Sequence, residues 1–453
     1  MRRGYYLDPL GCAKNQVDAE TMMAFLQEAG WVSAADPAEA QLIIINSCGF
    51  IEKAKQESIN TVLEYRKTYP DKKIVLAGCL AQGYARELSE ALPEADLIFG
   101  NRDLAKITQA AVLALASPET GASGRVLVPA AMPETESAPS GKRPLLSLPG
   151  SAYIKIAEGC NNRCAFCGIP RIRGPLRSRT LSQVMDECRE LLDRGIKELC
   201  LIGQDLGSYG TDRTGGRSEL PQLLEALSRL EGRFWVRMLY LHPDRFPRSI
   251  LEIIRRDPRV LPYFDLPFQH GASPILRAMN RQGTGESYLT LIHHIRETLP
   301  DATIRSTFLT GFPGETEKDF KALLQFQDQA RLDWVGCFTY SREEHTPAYT
   351  MKPRIPRGIA AARRKLIETR QIPITEKRLD RFVGRTLEAL VEAPAPGEPD
   401  ENKKVYLARL MCQAPEVDGL TLIRSDTRLL PGTLVQGSIV ARQGFDLELC
   451  LEG

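Results

Sequence analysis

The 453-residue sequence has no apolar run long enough to span a membrane or to form the core of a signal peptide. Met1-Arg2-Arg3-Gly4 leads straight into Tyr5-Tyr6-Leu7 and then Asp8-Pro9, so a cytoplasmic protein with no membrane partner is expected. Net charge is nearly absent as well. The 59 Lys and Arg residues almost cancel the 57 Asp and Glu residues and leave +2, which argues against a bulk electrostatic grip on nucleic acid and confines any such contact to a local patch. There is no internal repeat of the kind that builds a solenoid. Disulfides are not expected among the eleven cysteines, because reducing thiol pools keep them open; clustered cysteines in such a compartment point to metal or catalysis.

What is present is an alternation of short apolar runs and helical stretches, in a chain long enough for about three domains of 100–200 residues. Tyr5-Tyr6-Leu7, Leu42-Ile43-Ile44-Ile45, Ile74-Val75-Leu76 and Leu97-Ile98-Phe99 are each followed by a helical pattern, which reads as a doubly wound α/β domain on a buried parallel sheet. From Ser117 to Gly141 the chain turns rich in Pro, Ser, Gly and Ala, broken by Val126-Leu127-Val128, and reads as an interdomain connection. A second series runs through Tyr153–Ile156, Glu198–Ile202, Trp235–Leu239, Phe264–Leu266, Thr303–Phe308 and Trp334–Phe338, with room for a helix between strands, as in a closed or partly closed (βα) barrel. A basic helix with Arg363, Arg364, Lys365 and Arg370 follows. Five short strands between Arg385 and Leu451 then suggest a small β-barrel. The expected boundaries are 1–115, a linker at 116–143, 144–382 and 383–453.

Two sets of cysteines carry the chemistry. Cys160, Cys164 and Cys167 lie in one loop directly after a strand. Thiolates are the usual ligands of iron–sulfur clusters, and three of them on a cubane leave one iron open for substrate chemistry. A zinc knuckle is the alternative, but zinc prefers four ligands in two pairs, and His242 is the nearest histidine along the chain. Cys12, Cys48 and Cys79 are far apart in number yet each follows a strand, beside Gly11, Gly49 and Gly78. Strand ends in an open α/β sheet converge on a ligand crevice, although a lone cysteine there is commonly just buried. Cys188, Cys200, Cys337, Cys412 and Cys450 lack such company and read as packing residues.

The C-x3-C-x2-C pattern of Cys160, Cys164 and Cys167 at the first strand of a (βα) barrel resembles the radical S-adenosylmethionine (SAM) superfamily. With the amino-terminal triplet and the terminal small barrel, the whole chain resembles the methylthiotransferase family. The segments Leu10–Asp18, Ile156–Cys160, Gln204-Asp205 with Tyr209-Gly210, Pro267–His270 and Gln413–Gly419 are similar to its RimO branch, which methylthiolates an aspartate of the twelfth small-subunit ribosomal protein. The transfer-RNA branch usually has Gln-Ser-Gly where this chain has Gln269-His270-Gly271.

The resemblance implies a radical SAM (βα) partial barrel between a doubly wound amino-terminal domain and a carboxy-terminal TRAM β-barrel. It also implies two four-iron four-sulfur (4Fe-4S) clusters, one on Cys12, Cys48 and Cys79 and one, which chelates SAM, on Cys160, Cys164 and Cys167. No catalytic side chain is expected beyond the clusters. Phe166 would pack near the adenine, a place it could equally take as a core aromatic, and Gln204, Gly311 and Glu315 are further expected SAM neighbours. The expected partners are the ribosomal protein or small subunit, a reductant protein, and RNA through the TRAM barrel. There Arg385, Lys403, Lys404, Arg409 and Arg424 mingle with Glu388, Glu392, Asp400, Glu401 and Asp418, and Glu416 and Asp418 could help to meet a basic protein. The rival activities are transfer-RNA adenosine methylthiolation and non-enzymatic RNA binding by an iron–sulfur protein. One departure stands out: His345 occupies a turn where the family commonly has Gly.

Overall fold

Apolar runs such as Leu42–Ile45 and Ile74–Leu76 have no polar face, and both of their faces are covered. The computed structural model describes residues 3–116, 125–130, 142–396 and 404–451. Its contacts divide into two units. The first comprises Met1–Leu146, Glu158–Leu176 and Ser341–Tyr349, and the second comprises Ser147–Ala157, Arg177–Tyr340 and Thr350–Gly453.

The first unit is built on six parallel strands: β1 (Gly4–Pro9), β2 (Val32–Ser33), β3 (Leu42–Ser47), β4 (Lys73–Gly78), β5 (Leu97–Gly100) and β6 (Val126–Leu127), in the order β2-β1-β3-β4-β5-β6. Alternate side chains feed two cores. Leu42, Ile44 and Val75 pack with Met22 and Leu26 of α1 (Ala13–Glu28), and Ile43, Ile45 and Ile74 pack with Val62 of α2 (Glu52–Thr68), as a doubly wound sheet requires. The apolar interruption Val126-Leu127 in the expected linker is the edge strand β6, paired with Ile98 and Phe99. Residues 117–124 and 131–141 of that linker lie outside the described residues.

In the second unit six parallel strands form an arc: β7 (Ser151–Lys155), β8 (Glu198–Ile202), β9 (Trp235–Met238), β10 (Tyr263–Asp265), β11 (Thr303–Thr310) and β12 (Trp334–Thr339). β8 pairs with β7 and β9, and β11 with β10 and β12. A bridge between Val236 and Val260 joins the halves. No ladder joins β12 to β7 among the described residues, so the barrel is partial. The terminal module is a closed barrel of β13 (Thr386–Pro394), β14 (Lys404–Leu410), β15 (Thr421–Ser425), β16 (Leu434–Gln443) and β17 (Asp446–Leu451).

Two of the charged residues named in this small barrel, Arg409 and Asp418, turn inward. Arg409, 2% exposed, donates to Glu198 and Ser151 of the partial barrel. The Asp418 carboxylate accepts from Tyr263 Oη at 2.6 Å and from Ala414 N at 2.9 Å, so it does not present a surface acid, whereas Glu416 is exposed. The Trp334 indole donates to Cys412 O at 2.9 Å. Lys403, Asp400 and Glu401 lie outside the described residues. Of the cysteines read as packing residues, Cys188, Cys200, Cys337 and Cys412 are buried, but Cys450 is exposed. The period of two along β17 turns Leu447 and Leu449 inward and Cys450 out.

Candidate metal centre

Cys12, Cys48 and Cys79 follow β1, β3 and β4, three neighbouring strands of the first sheet. The chain order reverses between β1 and β3, and crevices at such switch points are where open α/β sheets bind ligands. Register brings the ends level: Pro9 faces Asn46 and Ser47 faces Gly78, one residue before Cys48 and Cys79. Gly11, at φ +96°, is where the backbone turns away from β1; a Cβ there would stand 3.3 Å from the Cys48 sulfur, so the first two cysteine loops touch.

Asn15, 1% exposed, ties the three ends together. Its Nδ2 donates to Leu10 O at 3.0 Å and Ser47 O at 2.9 Å, and its Oδ1 accepts from Cys79 Sγ at 3.2 Å. Asn101 Nδ2 approaches Cys79 Sγ from the other side at 3.4 Å. The thiols differ in proton affinity. Burial, with Cys12, Asp18 and Cys48 nearby, pushes Cys79 up to about 12 against the pull of Arg173. Burial also raises Cys48. Cys12 is lowered: the surrounding protein desolvates it, but Lys14, Arg173 and two backbone N–H groups outweigh that effect. Metal ligation requires all three to lose their protons, and cations favour that loss.

The Cys160 loop belongs to the same unit. Cys160 N donates to Gly174 O at 3.1 Å, and Cys167 N to Cys164 O at 3.1 Å. Gly159 precedes Cys160 at φ +72°, and a Cβ there would lie 2.0 Å from Pro175 O, so only glycine lets the loop close. The three thiols are half-buried, as is Phe166. The short helix Ile169–Arg173 then carries a residue that sequence reasoning missed. Arg173, 3% exposed, bonds Asn15 Oδ1 at 2.6 Å, Asp18 Oδ2 at 2.9 Å and both Glu158 oxygens at 2.9 and 3.1 Å. As one of two arginines in a short helix it gave no signal in the sequence; Asn15 and Asp18 lie 158 and 155 residues away along the chain, and only Glu158 is near.

A third segment, Ser341–Tyr349, completes this unit. Ala348 N donates to Ala165 O at 2.9 Å, between the second and third cysteines of the loop. Glu343 pairs with Lys55, whose Nζ also donates to Tyr84 Oη at 2.8 Å. The turn forms with His345 at φ +62°, in the left-handed region that favours glycine.

Gln204, Gly311 and Glu315 belong to the second unit. Gln204 follows β8 and Gly311 follows β11, both at carboxyl ends of the arc, the face that carries active sites in (βα) barrels. Glu315, 2% exposed, spends its carboxylate internally: it accepts from Gly311 N, pairs with Arg363 Nη1 at 3.3 Å and faces His270 Nε2 at 3.5 Å. His270 Nδ1 accepts from Ala272 N at 2.9 Å, which places the proton on Nε2 toward Glu315. The His270 that sets this chain apart from the transfer-RNA pattern is therefore fully buried and acts on the Gly311–Glu315 turn.

Both triplets suit iron–sulfur clusters by donor chemistry. Each offers three soft thiols on backbone loops, with Lys14 and Arg173 beside the first. Among the described residues no three Cys, His, Asp or Glu side chains crowd close enough to share one metal ion.

Family models match three stretches of the chain. Residues 4–100 match the uncharacterized protein family UPF0004, residues 154–326 the Radical SAM superfamily, and residues 383–448 the TRAM domain. The chain is 44% identical over 467 residues to ribosomal protein uS12 methylthiotransferase RimO of Treponema denticola, covering 98% of this chain and 99% of that one. The protein of the same name from Moorella thermoacetica is 41% identical over 419 residues, with 92% of each chain covered. This chain belongs to the RimO methylthiotransferase family. Among solved structures, the radical SAM methyltransferase TsrM of Kitasatospora setae, with cobalamin and a 4Fe-4S cluster bound, aligns with a TM-score of 0.53 at 16% identity, over 77% of this chain and 74% of that one; this likeness concerns the fold. As a member of the RimO family the protein is a transferase that uses radical SAM chemistry, with SAM and iron–sulfur as its cofactors. Among the described residues no helix is long and apolar enough to cross a membrane.

Proposed function

We propose that this enzyme methylthiolates the β-carbon of an aspartate in ribosomal protein uS12, using two 4Fe-4S clusters. The observation that carries the substrate is the near-full-length identity to relatives named for that reaction. The two-cluster reading is supported by the second triplet, Cys12, Cys48 and Cys79, at three adjacent strand ends of one sheet.

When bound, the cluster on Cys160, Cys164 and Cys167 with its SAM supplies the radical chemistry that breaks an aliphatic C–H bond, a task beyond any side chain. Cys12, Cys48 and Cys79 would hold the second cluster, which would supply the sulfur chemistry. Asn15 and Gly11 bring their three loops together. Phe166 would be offered to SAM from the cysteine loop, and within the second unit Glu315 with His270 and Arg363 fixes the backbone at Gly311. A reductant protein feeds electrons to the site. The TRAM barrel meets the ribosomal substrate, with RNA contact consistent with the domain it matches.

The test is the mass of the tryptic uS12 peptide containing the target aspartate, with and without this gene. A methylthio increment present only with the gene supports the reading. An unchanged peptide, together with a changed adenosine among transfer-RNA nucleosides, assigns the enzyme to the transfer-RNA reaction. Reconstituted protein unable to cleave SAM under reduction overturns the enzymatic reading and favours an iron–sulfur RNA binder.

A further inference from the structure

A fully buried guanidinium is costly unless its charge and all its donors are met. Arg173 meets them from two directions. Glu158 stands two residues before Cys160, and Gly174, directly after Arg173, accepts the Cys160 N–H. Asn15 and Asp18 stand three and six residues after Cys12, and Asn15 itself accepts from Cys79. One side chain thus bonds the neighbourhoods of both cysteine triplets within a single unit.

We propose that Arg173 is a positioning residue that supplies the cation required by the cluster on Cys12, Cys48 and Cys79, and that it sets that cluster's reduction potential. The inference rests on the two-cluster reading above. Arg173 Nη2 and Cys79 Sγ share one acceptor, Asn15 Oδ1, at 2.6 and 3.2 Å, which puts the guanidinium one hydrogen-bonded residue from a ligand thiol. Adding one electron to the cluster makes the site more negative by one charge. A buried cation at hydrogen-bonding distance from the ligand framework favours that added charge, in a setting where water screens little.

The experiment uses full-length protein with Cys160, Cys164 and Cys167 changed to Ala, so that only the amino-terminal cluster is read. Dithionite is the reductant, and the reduced cluster is followed by electron paramagnetic resonance. Arg173→Gln is expected to lower the reduced-to-oxidised ratio at a fixed potential at least tenfold, which is about 59 mV for one electron. Arg173→Lys keeps the charge without the planar fork and should stay within about threefold of the parent. Full iron with an unchanged potential in Arg173→Gln overturns the proposal.

Should Arg173→Gln lose its iron, the same comparison is made between Asp18→Asn and Asp18→Asn with Arg173→Gln, where one fewer acid faces the missing cation. A tenfold drop there supports the proposal, and so does a chain folded by circular dichroism but iron-free unless Lys is restored at 173; equal potentials, or iron loss that Lys does not rescue, overturn it. No iron in the parent itself defeats the two-cluster reading instead.

Discussion

Arg409 of the small barrel and Glu198 of the partial barrel form a buried pair, with Nη2 to Oε2 at 2.5 Å and Nη1 to Oε1 at 3.2 Å. Arg237 meets the same carboxylate at 2.7 Å. Burial alone would raise Glu198, but the two guanidinium groups outweigh it and hold the carboxyl well below the usual range. Its contribution to stability is therefore complete above the ordinary pKa of 4.5 and is lost as pH falls below it. Glu198→Gln leaves two buried cations without their counter-charge and should cost about 3–5 kcal/mol. Denaturant unfolding of the variant measures this; a loss under about 1 kcal/mol would show that the pair is not what fastens the small barrel.

Asp418 runs the other way. Burial dominates over Arg305, Tyr263 and the Ala414 N–H, and the carboxyl is pushed up to about 6. A raised acid gives stability that is fully present below its unfolded pKa of 3.8 and lost as pH rises through about 6. Asp418→Asn keeps an acceptor for Tyr263 and removes the buried charge. Its stability relative to the parent should rise between pH 4 and pH 6 by up to about 3 kcal/mol. Melting curves of both proteins across that window check this, and a difference that does not change with pH would contradict it.

His345 makes a local test of the turn that holds Ser341–Tyr349. A left-handed φ costs a side chain with Cβ about 1–2 kcal/mol, most for a β-branched one. Glycine removes that strain but brings more freedom to the unfolded chain. His345→Gly should therefore stay within about 0.5 kcal/mol of the parent or exceed it, while His345→Val should lose about 1–2 kcal/mol. Equal stability of the two variants in thermal unfolding would mean that the strain is relieved elsewhere.

The parts legible in the sequence were those with local signatures. Apolar runs marked the strands, and the run Glu198–Ile202 matched β8 to the residue. The cysteine positions after strands marked both triplets. What stayed hidden depends on partners distant in sequence. Arg409 looked like one surface charge among several because nothing nearby names Glu198, 211 positions away. Asp418 read as a recognition acid for the same reason. Val126-Leu127 read as an interruption in a linker because a two-residue edge strand has no period to detect. Arg173 was invisible because Asn15 and Asp18, which give it meaning, precede it by more than 150 residues.

Removing one triplet at a time separates the two clusters. With Cys12, Cys48 and Cys79 changed to Ala, iron and sulfide should fall to about half of wild type, since each triplet provides thiolates for one cluster. SAM should still be cleaved under reduction, because Cys160, Cys164 and Cys167 remain, but no sulfur should reach the peptide. With Cys160, Cys164 and Cys167 changed instead, iron should again halve while SAM cleavage stops. Cys188 and Cys450 serve as controls: one is buried in the helix Leu181–Asp193 and the other lies exposed on β17, so Ala at either should leave iron unchanged. If iron in the first variant fell by much less than half, Cys12, Cys48 and Cys79 would not be cluster ligands, and the sulfur for the reaction would have to enter from outside the amino-terminal sheet.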